Sequence, residues 1–530
     1  MVVEDVESKY TSAREAAMNE ARDAEPESDA HAAAPRRRWP LVALGAVLVL
    51  GAGLAWWKLP RAYEGLRTEA PVREGAYASG GRPSPGTAEQ RAFFEHALPE
   101  FLVALDAGND AGAAAQTLGA EADGAGLPPA LLEAAHGFGR ACASGTAAAD
   151  VAQAPLVQAA AAALNRALAD AELGYYVDAQ VVRMADGRLR VFAQTFVVEH
   201  VGLFLLGAHT ERALSIRRLD HTNVDSATLG FTRPEANEGL VQVDRIEEHL
   251  VAHLLPTLAR SASFRYAEPH VQRSDALTRL EALAGLAIRE ELMTGLERDA
   301  GVRLGTTLQE RRALFERWQN LASERDAVFF APTTYEVDMD ALEPHRLALD
   351  GFAQLRTQHD TLGEAEVVAA YQHAHETLVQ SVTRHELQHR FDYREGTFES
   401  APAALTGTLL PLDAGAALDA NERVIVAELS AYCAAMADGP LTKTELALLT
   451  RHVLGLGEAR RQEARAAGFL LSELDTALFP REPILGDRPL HHAARAERLL
   501  GQPTARLRST LRTLWERWFG RALPRMRPAR

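Results

Sequence analysis

Apolar residues recur along most of the chain at steps of three and four, the period of an amphipathic helix, and one region alone shifts to the alternation of strands. Residues 88–170 are Ala-rich and helical in period, with breaks near Gly108, Gly124 and Ser144-Gly145. Between residues 174 and 220 the text changes. Stretches 175–184 and 189–200 are rich in Val, Phe and Tyr, and Asp186-Gly187 between them is a hairpin signal. Stretches 203–206 and 213–219 add strands to one antiparallel sheet. The helical period returns over 246–262 and 277–323, predicts one long helix over 365–393, and runs on from Leu441. The fold class that follows is α+β, mainly helical, with an antiparallel sheet.

The N-terminal part has a different pattern. Residues 1–38 are acidic and poor in large apolar side chains until Arg36-Arg37-Arg38, and they predict a tail without a core. Residues 39–57 follow, flanked by tryptophans and bases and uncharged from Leu41 to Trp57, which predicts a single transmembrane helix. Gly45, Gly51 and Gly53 would be poor choices in a water-exposed helix. Bases nearest the span lean toward a cytoplasmic N-terminus. That makes this a bitopic protein of a bacterial inner membrane, with its larger part extracytoplasmic (periplasmic). The domain plan is then tail 1–38, span 39–57, Gly/Pro-rich linker 58–88, helical region 89–170, β-containing region 171–265 and helical region 266–530.

Charge removes one class of partner. The formal net charge of -16 over 530 residues, with no long basic stretch, argues against nucleic acid. The basic run 521–530 reads as a solvated tail. Two cysteines, Cys142 and Cys433, do not define a redox compartment.

Candidate chemistry lies in the long helix. His385-Glu386-Leu387-Gln388-His389 fits H-E-x-x-H. Positions i and i+4 share one helix face, so both imidazoles reach one ion, and Glu386 lies beside the open position, where it activates water. Tyr371, His375, Leu378, Val382, His385 and His389 form one stripe at helical steps.

A third ligand has two candidates. The local one is Glu395 or Asp392, but the sharp-turn pattern requires Gly where Asp392 stands. The distal one is Glu428, the only acid in the interior of an otherwise apolar helix. That helix opens with an Asp419–Glu422 capping box and closes at Gly439-Pro440. An ionised carboxylate in that setting is costly unless it has a cation, a zinc ion or an Arg, and otherwise it stays protonated. Asp392 would either accept a ligand imidazole N–H or cap the helix end. Tyr432, one turn past Glu428, would donate to an oxyanion or orient Glu428. His491-His492 is a further candidate for oxyanion stabilisation.

H-E-x-x-H with a ligand Glu on a second helix resembles the gluzincin metallopeptidases over residues 385–436. The resemblance implies a zincin-like fold and one Zn2+ held by His385, His389 and Glu428. It also implies Glu386 as general base and a peptide or protein as substrate. Two features depart from the thermolysin-like members: thirty-eight residues separate His389 from Glu428, and Tyr432 stands where an acid is common. Zincins of this kind bind substrate along a sheet edge, for which the 174–220 sheet and residues 328–338 are candidates. Residues 397–418, between the motif helices, would cover the site. The alternative function is an inactive zincin-fold envelope scaffold or peptide-binding protein.

Overall fold

Local sequence signals start the helices where the pattern places them. Thr87 opens α1 (Ala88–Ala92) with a capping box in which its hydroxyl accepts from the Gln90 N–H and Gln90 returns a bond to the Thr87 N–H. The helix runs through a π-helical turn (Phe93–Ala97) into α2 (Leu98–Asp106). Helices α3 (Ala111–Gly124), α4 (Pro129–Ala147) and α5 (Ala154–Asp170) complete an Ala-rich layer. The computed structural model describes Tyr77 and residues 80–529, except 108–109, 148–153, 184–188, 220–227, 234–235, 261–262, 267–273, 296, 323–333, 348 and 455–460. The expected tail, span and most of the linker lie outside the described residues. Among the described residues no helix is long and apolar enough to cross a membrane.

The fold is α+β and mainly helical. Its sheet consists of β1 (Tyr175–Arg183), β2 (Leu189–Leu206), β3 (His209–Arg218), β4 (Gly230–Thr232), β5 (Glu238–Gln242) and β6 (Met526–Pro528). Strand order is β1-β2-β3-β5-β4, with β6 added to β2. One expectation is corrected here: the sheet is mixed. β1, β2 and β3 form an antiparallel meander, but β5 runs parallel to β3, and β4 folds back antiparallel on β5. The cause is burial on both faces of β5. Leu240 packs with Phe196, Leu214 and Ile216 of the sheet, whereas Val241 enters the helical core on the other face. The two stretches read as separate strands, 189–200 and 203–206, are one strand whose register shifts between Val198 and His200.

The Ala-rich layer packs on β1 and β2 around Phe94, Phe138, Leu164 and Val177, with the Phe94 ring stacked on Tyr175 at 4.7 Å. The larger core is helical. It is built from α6 (Val243–His249), α7 (Asp275–Leu292), α8 (Arg298–Ala322), α9 (Met339–Leu342) and α10 (Phe352–Leu362). With them stand α11 (Ala365–Arg394), α12 (Ala420–Asp438), α13 (Thr442–Val453), α14 (Arg461–Leu478), α15 (Pro489–Leu500) and α16 (Thr504–Phe519). α11 is thirty residues long because neither Gly nor Pro interrupts it before Gly396, which takes φ 65° just past its end. Its first half buries one stripe, Val367, Ala370, Ala374 and Leu378. From Ser381 to Asp392 nearly every side chain is buried, because the sheet closes over one side and α12 over another. α12 begins with the expected Asp419–Glu422 capping box.

Residues 334–338 form no strand. Tyr335 stacks on Tyr371 at 3.8 Å, and its hydroxyl donates to the Leu362 carbonyl. Residues 328–333 lie outside the described set. The basic run 521–530 also departs from the tail reading. Arg521 donates to Asp392, Glu395 and Thr397, and its guanidinium lies over Phe391 and Trp515. The Pro524 carbonyl accepts from Arg384, and the Met526 N–H donates to Asp438. Deleting residues 521–530 strips the buried Asp392 and the half-buried Asp438 of donors and is expected to lower the unfolding free energy by about 2–4 kcal/mol. Urea denaturation checks this, and an unmoved midpoint would restore the tail reading.

Candidate metal centre

Three donors meet where α11 crosses α12. His385 and His389 project from one face of α11, with their Nε2 atoms 3.1 Å apart. From α12, Glu428 brings Oε2 to 3.5 Å from His385 Nε2 and Oε1 to 3.8 Å from His389 Nε2. Among the described residues this is the one group of three such side chains able to hold a metal ion. Its donor set fits zinc. Tetrahedral coordination with Zn–N bonds near 2.0–2.1 Å requires neighbouring donors about 3.3 Å apart. Two imidazoles and one carboxylate also leave the fourth position open. His385 and Glu428 keep 19% and 18% of their side-chain surface exposed, so the donor group is not wholly sealed from solvent.

The electrostatics favour a cation here. Burial opposes ionisation of Glu428, yet the His385 hydrogen bond and the two imidazoles hold its carboxyl down at about 2. Burial also opposes a charged His385, but the bond and charge of Glu428 outweigh it and lift this imidazole to about 9. His389, without such a bond, is pushed down to about 4 by burial. Glu428 therefore draws positive charge into the place where the three donors converge.

Glu386 points to the sheet side. Its carboxyl is buried, which pushes it up to about 7. Thr232 of β4 places its hydroxyl 2.9 Å from Oε2 and 3.1 Å from the Glu386 carbonyl. Two glycines make this approach feasible. A Cβ on Gly230 would stand 2.7 Å from the Leu240 carbonyl oxygen and 2.8 Å from Glu386 Cγ; on Gly239 it would stand 3.1 Å from Glu386 Cβ. Tyr432 has its ring centroid 5.3 Å from that of His385, and its hydroxyl interacts with Glu428.

The other sequence candidates sit elsewhere. Asp392 reaches no ligand imidazole. Buried, it accepts from Gln388 at 2.9 Å, Ser430 at 2.6 Å and Thr397 at 3.0 Å, with Arg521 at 3.3 Å. It thus ties α11 to α12. Glu395 pairs with His209 and Arg521, outside the donor group, which removes the local third-ligand option. His492 is bonded to Arg495 and packs against Gly468, and His491 lies against Gly486; neither joins the donor group.

Sequence reasoning missed Thr232, Gly230 and Gly239. β4 and β5 are three and five residues long, too short for periodicity to register, and the glycine pair was the available signal. Gly230→Ala is expected to destabilise the chain by about 1–3 kcal/mol, because the new methyl meets backbone. Gly137→Ala, mid-helix in α4 with nothing within 4 Å of the new Cβ, should stabilise by about 0.5–1 kcal/mol. Urea midpoints of the two variants, moving in opposite directions, check the cradle.

No family model, no curated protein and no solved structure matches the chain.

Proposed function

We propose that the chain is a gluzincin-type zinc metallopeptidase with a zincin-like core that hydrolyses peptide bonds. It is held at a membrane by residues 39–57, with the larger part extracytoplasmic. One observation carries the reading: His385, His389 and Glu428 converge from two helices while Glu386, adjacent in sequence, is held apart by β4. His385, His389 and Glu428 would hold the zinc, which when bound would supply Lewis-acid polarisation of a carbonyl and a more acidic water. Glu386 takes the proton from the attacking water and passes it to the leaving amine. Thr232 and the glycine cradle keep that carboxylate from swinging into the ligand set. Tyr432 stands beside His385, where its hydroxyl either steadies Glu428 or donates to the oxyanion. β4 is last in the strand order and its Thr232 lies directly beside Glu386, which supports a peptide strand pairing near the proposed base.

The test separates metal binding from chemistry. The protein should carry one zinc per chain, lost in both His385→Ala and Glu428→Ala. Glu386→Gln should keep the zinc while turnover of an unstructured peptide pool falls by about 10²–10⁴-fold. Elemental analysis and a peptide-release assay read both. Zinc retained in Glu428→Ala would overturn the ligand set, and unchanged turnover in Glu386→Gln would leave the scaffold reading in its place.

A further inference from the structure

Thr232, which holds Glu386, belongs to a strand of three residues, so few ladder bonds fix its place. β4 pairs with β5 through Gly230, Phe231 and Thr232. Its start is tied back where the Gln242 side-chain amide donates to the Thr228 carbonyl at 3.0 Å. Its far end is tied across the sheet. Arg233, the next residue, donates from Nε and Nη2 to the two carboxylate oxygens of Asp178 on β1, at 3.1 and 2.6 Å.

That contact constrains the shape of the sheet. β1 and β4 stand at opposite ends of the strand order. In a flat sheet four spacings of about 4.8 Å would hold them roughly 19 Å apart, beyond the reach of these two side chains. The sheet therefore curls until its ends meet. Tyr176, Phe196 and Phe231 form a row inside the curl, with successive ring centroids 6.5 and 6.2 Å apart. Asp178 lies two residues after Tyr176 and Arg233 two after Phe231, so both share that inner face. The guanidinium also lies 4.9 Å from the Phe231 centroid. The pair is partly sheltered, with 34% of the Arg233 side chain and 14% of Asp178 exposed.

Alternation along the strand carries this outward to the site. Phe231 and Arg233 point into the curl, so Thr232 between them points the other way, to α11 and the Glu386 carboxyl. A side chain whose two neighbours are both anchored has little freedom to slide or twist. The Arg233 fork meets its carboxylate in two parallel bonds, which fix orientation as well as distance.

We propose that Arg233 and Asp178 are positioning residues that set the place of the Glu386 carboxyl through Thr232. The proposal rests on the hydrolytic reading above and adds that the base is aimed from the far edge of the sheet. Misplacing a reacting group by about 1 Å costs up to about 10²-fold in rate, so a loosened β4 registers in turnover.

The test uses the full chain, loaded with zinc, and a quenched-fluorescent library of unstructured peptides. Arg233→Gln, Asp178→Ala and the double variant should each lower turnover at saturation by about tenfold, with the zinc content unchanged. The loss is common to all three because each breaks the same tie. In a Thr232→Val background the same changes should cost less than about twofold, since Thr232 is the route by which they act. Losses that multiply with Thr232→Val overturn the proposal and leave a general loosening of the sheet. Unchanged turnover in Asp178→Ala also overturns it, and would mark Arg233 as acting directly by its charge. A second measurement does not depend on turnover. Amide hydrogen exchange over residues 228–233 should quicken by about tenfold in both single variants, and an unchanged rate overturns the proposal. Quickened exchange in a protein whose zinc-loaded parent cleaves no peptide supports the tie and overturns the hydrolytic reading alone.

Discussion

The arrangement of the centre depends on one buried carboxylate. Asp392 lies three residues past His389, and Ser430 lies two past Glu428, so the 2.6 Å bond between them fixes the two ligand-bearing helices against each other. Ser430 is held in turn by the Trp515 indole N–H at 3.0 Å, which brings α16 into the same network. Gln388 spans the network along α11, accepting from Arg384 and donating to Asp392. Arg384 reaches on to Asp438 at the end of α12. A shift of half an ångström between α11 and α12 would separate the ligands, and apolar packing alone tolerates such shifts more readily than directional bonds do. The polar network is therefore the reason that the second half of α11 is buried and charged at once.

This also explains why the docked C-terminal residues matter to a site they do not touch. Asp392 and Asp438 are carboxylates in poorly solvated surroundings, and Arg521 and the Met526 N–H are among the groups that compensate them. β6 then holds this strap in place by pairing with β2. The sheet thus supports α11 twice, through the Thr232 contact at Glu386 and through β6 behind the ligands. The three-donor group is gripped between the Asp392 network and the Thr232 contact at Glu386.

What was legible in the sequence follows from the range of the interactions. H-E-x-x-H and the Asp419 capping box are set within a turn or two of helix, and each stands where the pattern put it, whereas the buried stripe of the first half of α11 runs through Val367, Ala370 and Ala374, with Tyr371 and His375 only half-buried beside it. Glu428 was legible because an acid alone in an apolar helix requires a partner. Asp392 was placed on the right face but given the wrong partners, since Ser430 and Arg521 are distant in sequence. Three-residue β4 and its parallel-paired neighbour β5 left no periodic trace.

The long spacer between the ligand helices shows how far a functional expectation depends on packing. Residues 397–418 span the interval in which a covering flap would lie. Within it Phe398, Leu405, Leu409, Leu410 and Leu418 are all fully buried in the main helical core. Backbone bridges pair Ser400 with Ala417 and Thr406 with Leu410, and the Leu409 carbonyl accepts from Arg465 of α14. Lifting the segment would expose five large apolar side chains, each worth about 1.5–3 kcal/mol of burial. That sum is comparable to the whole stability of a domain, so the segment opens only when the domain unfolds. The extra residues that set this chain apart from a short-spacer arrangement are core.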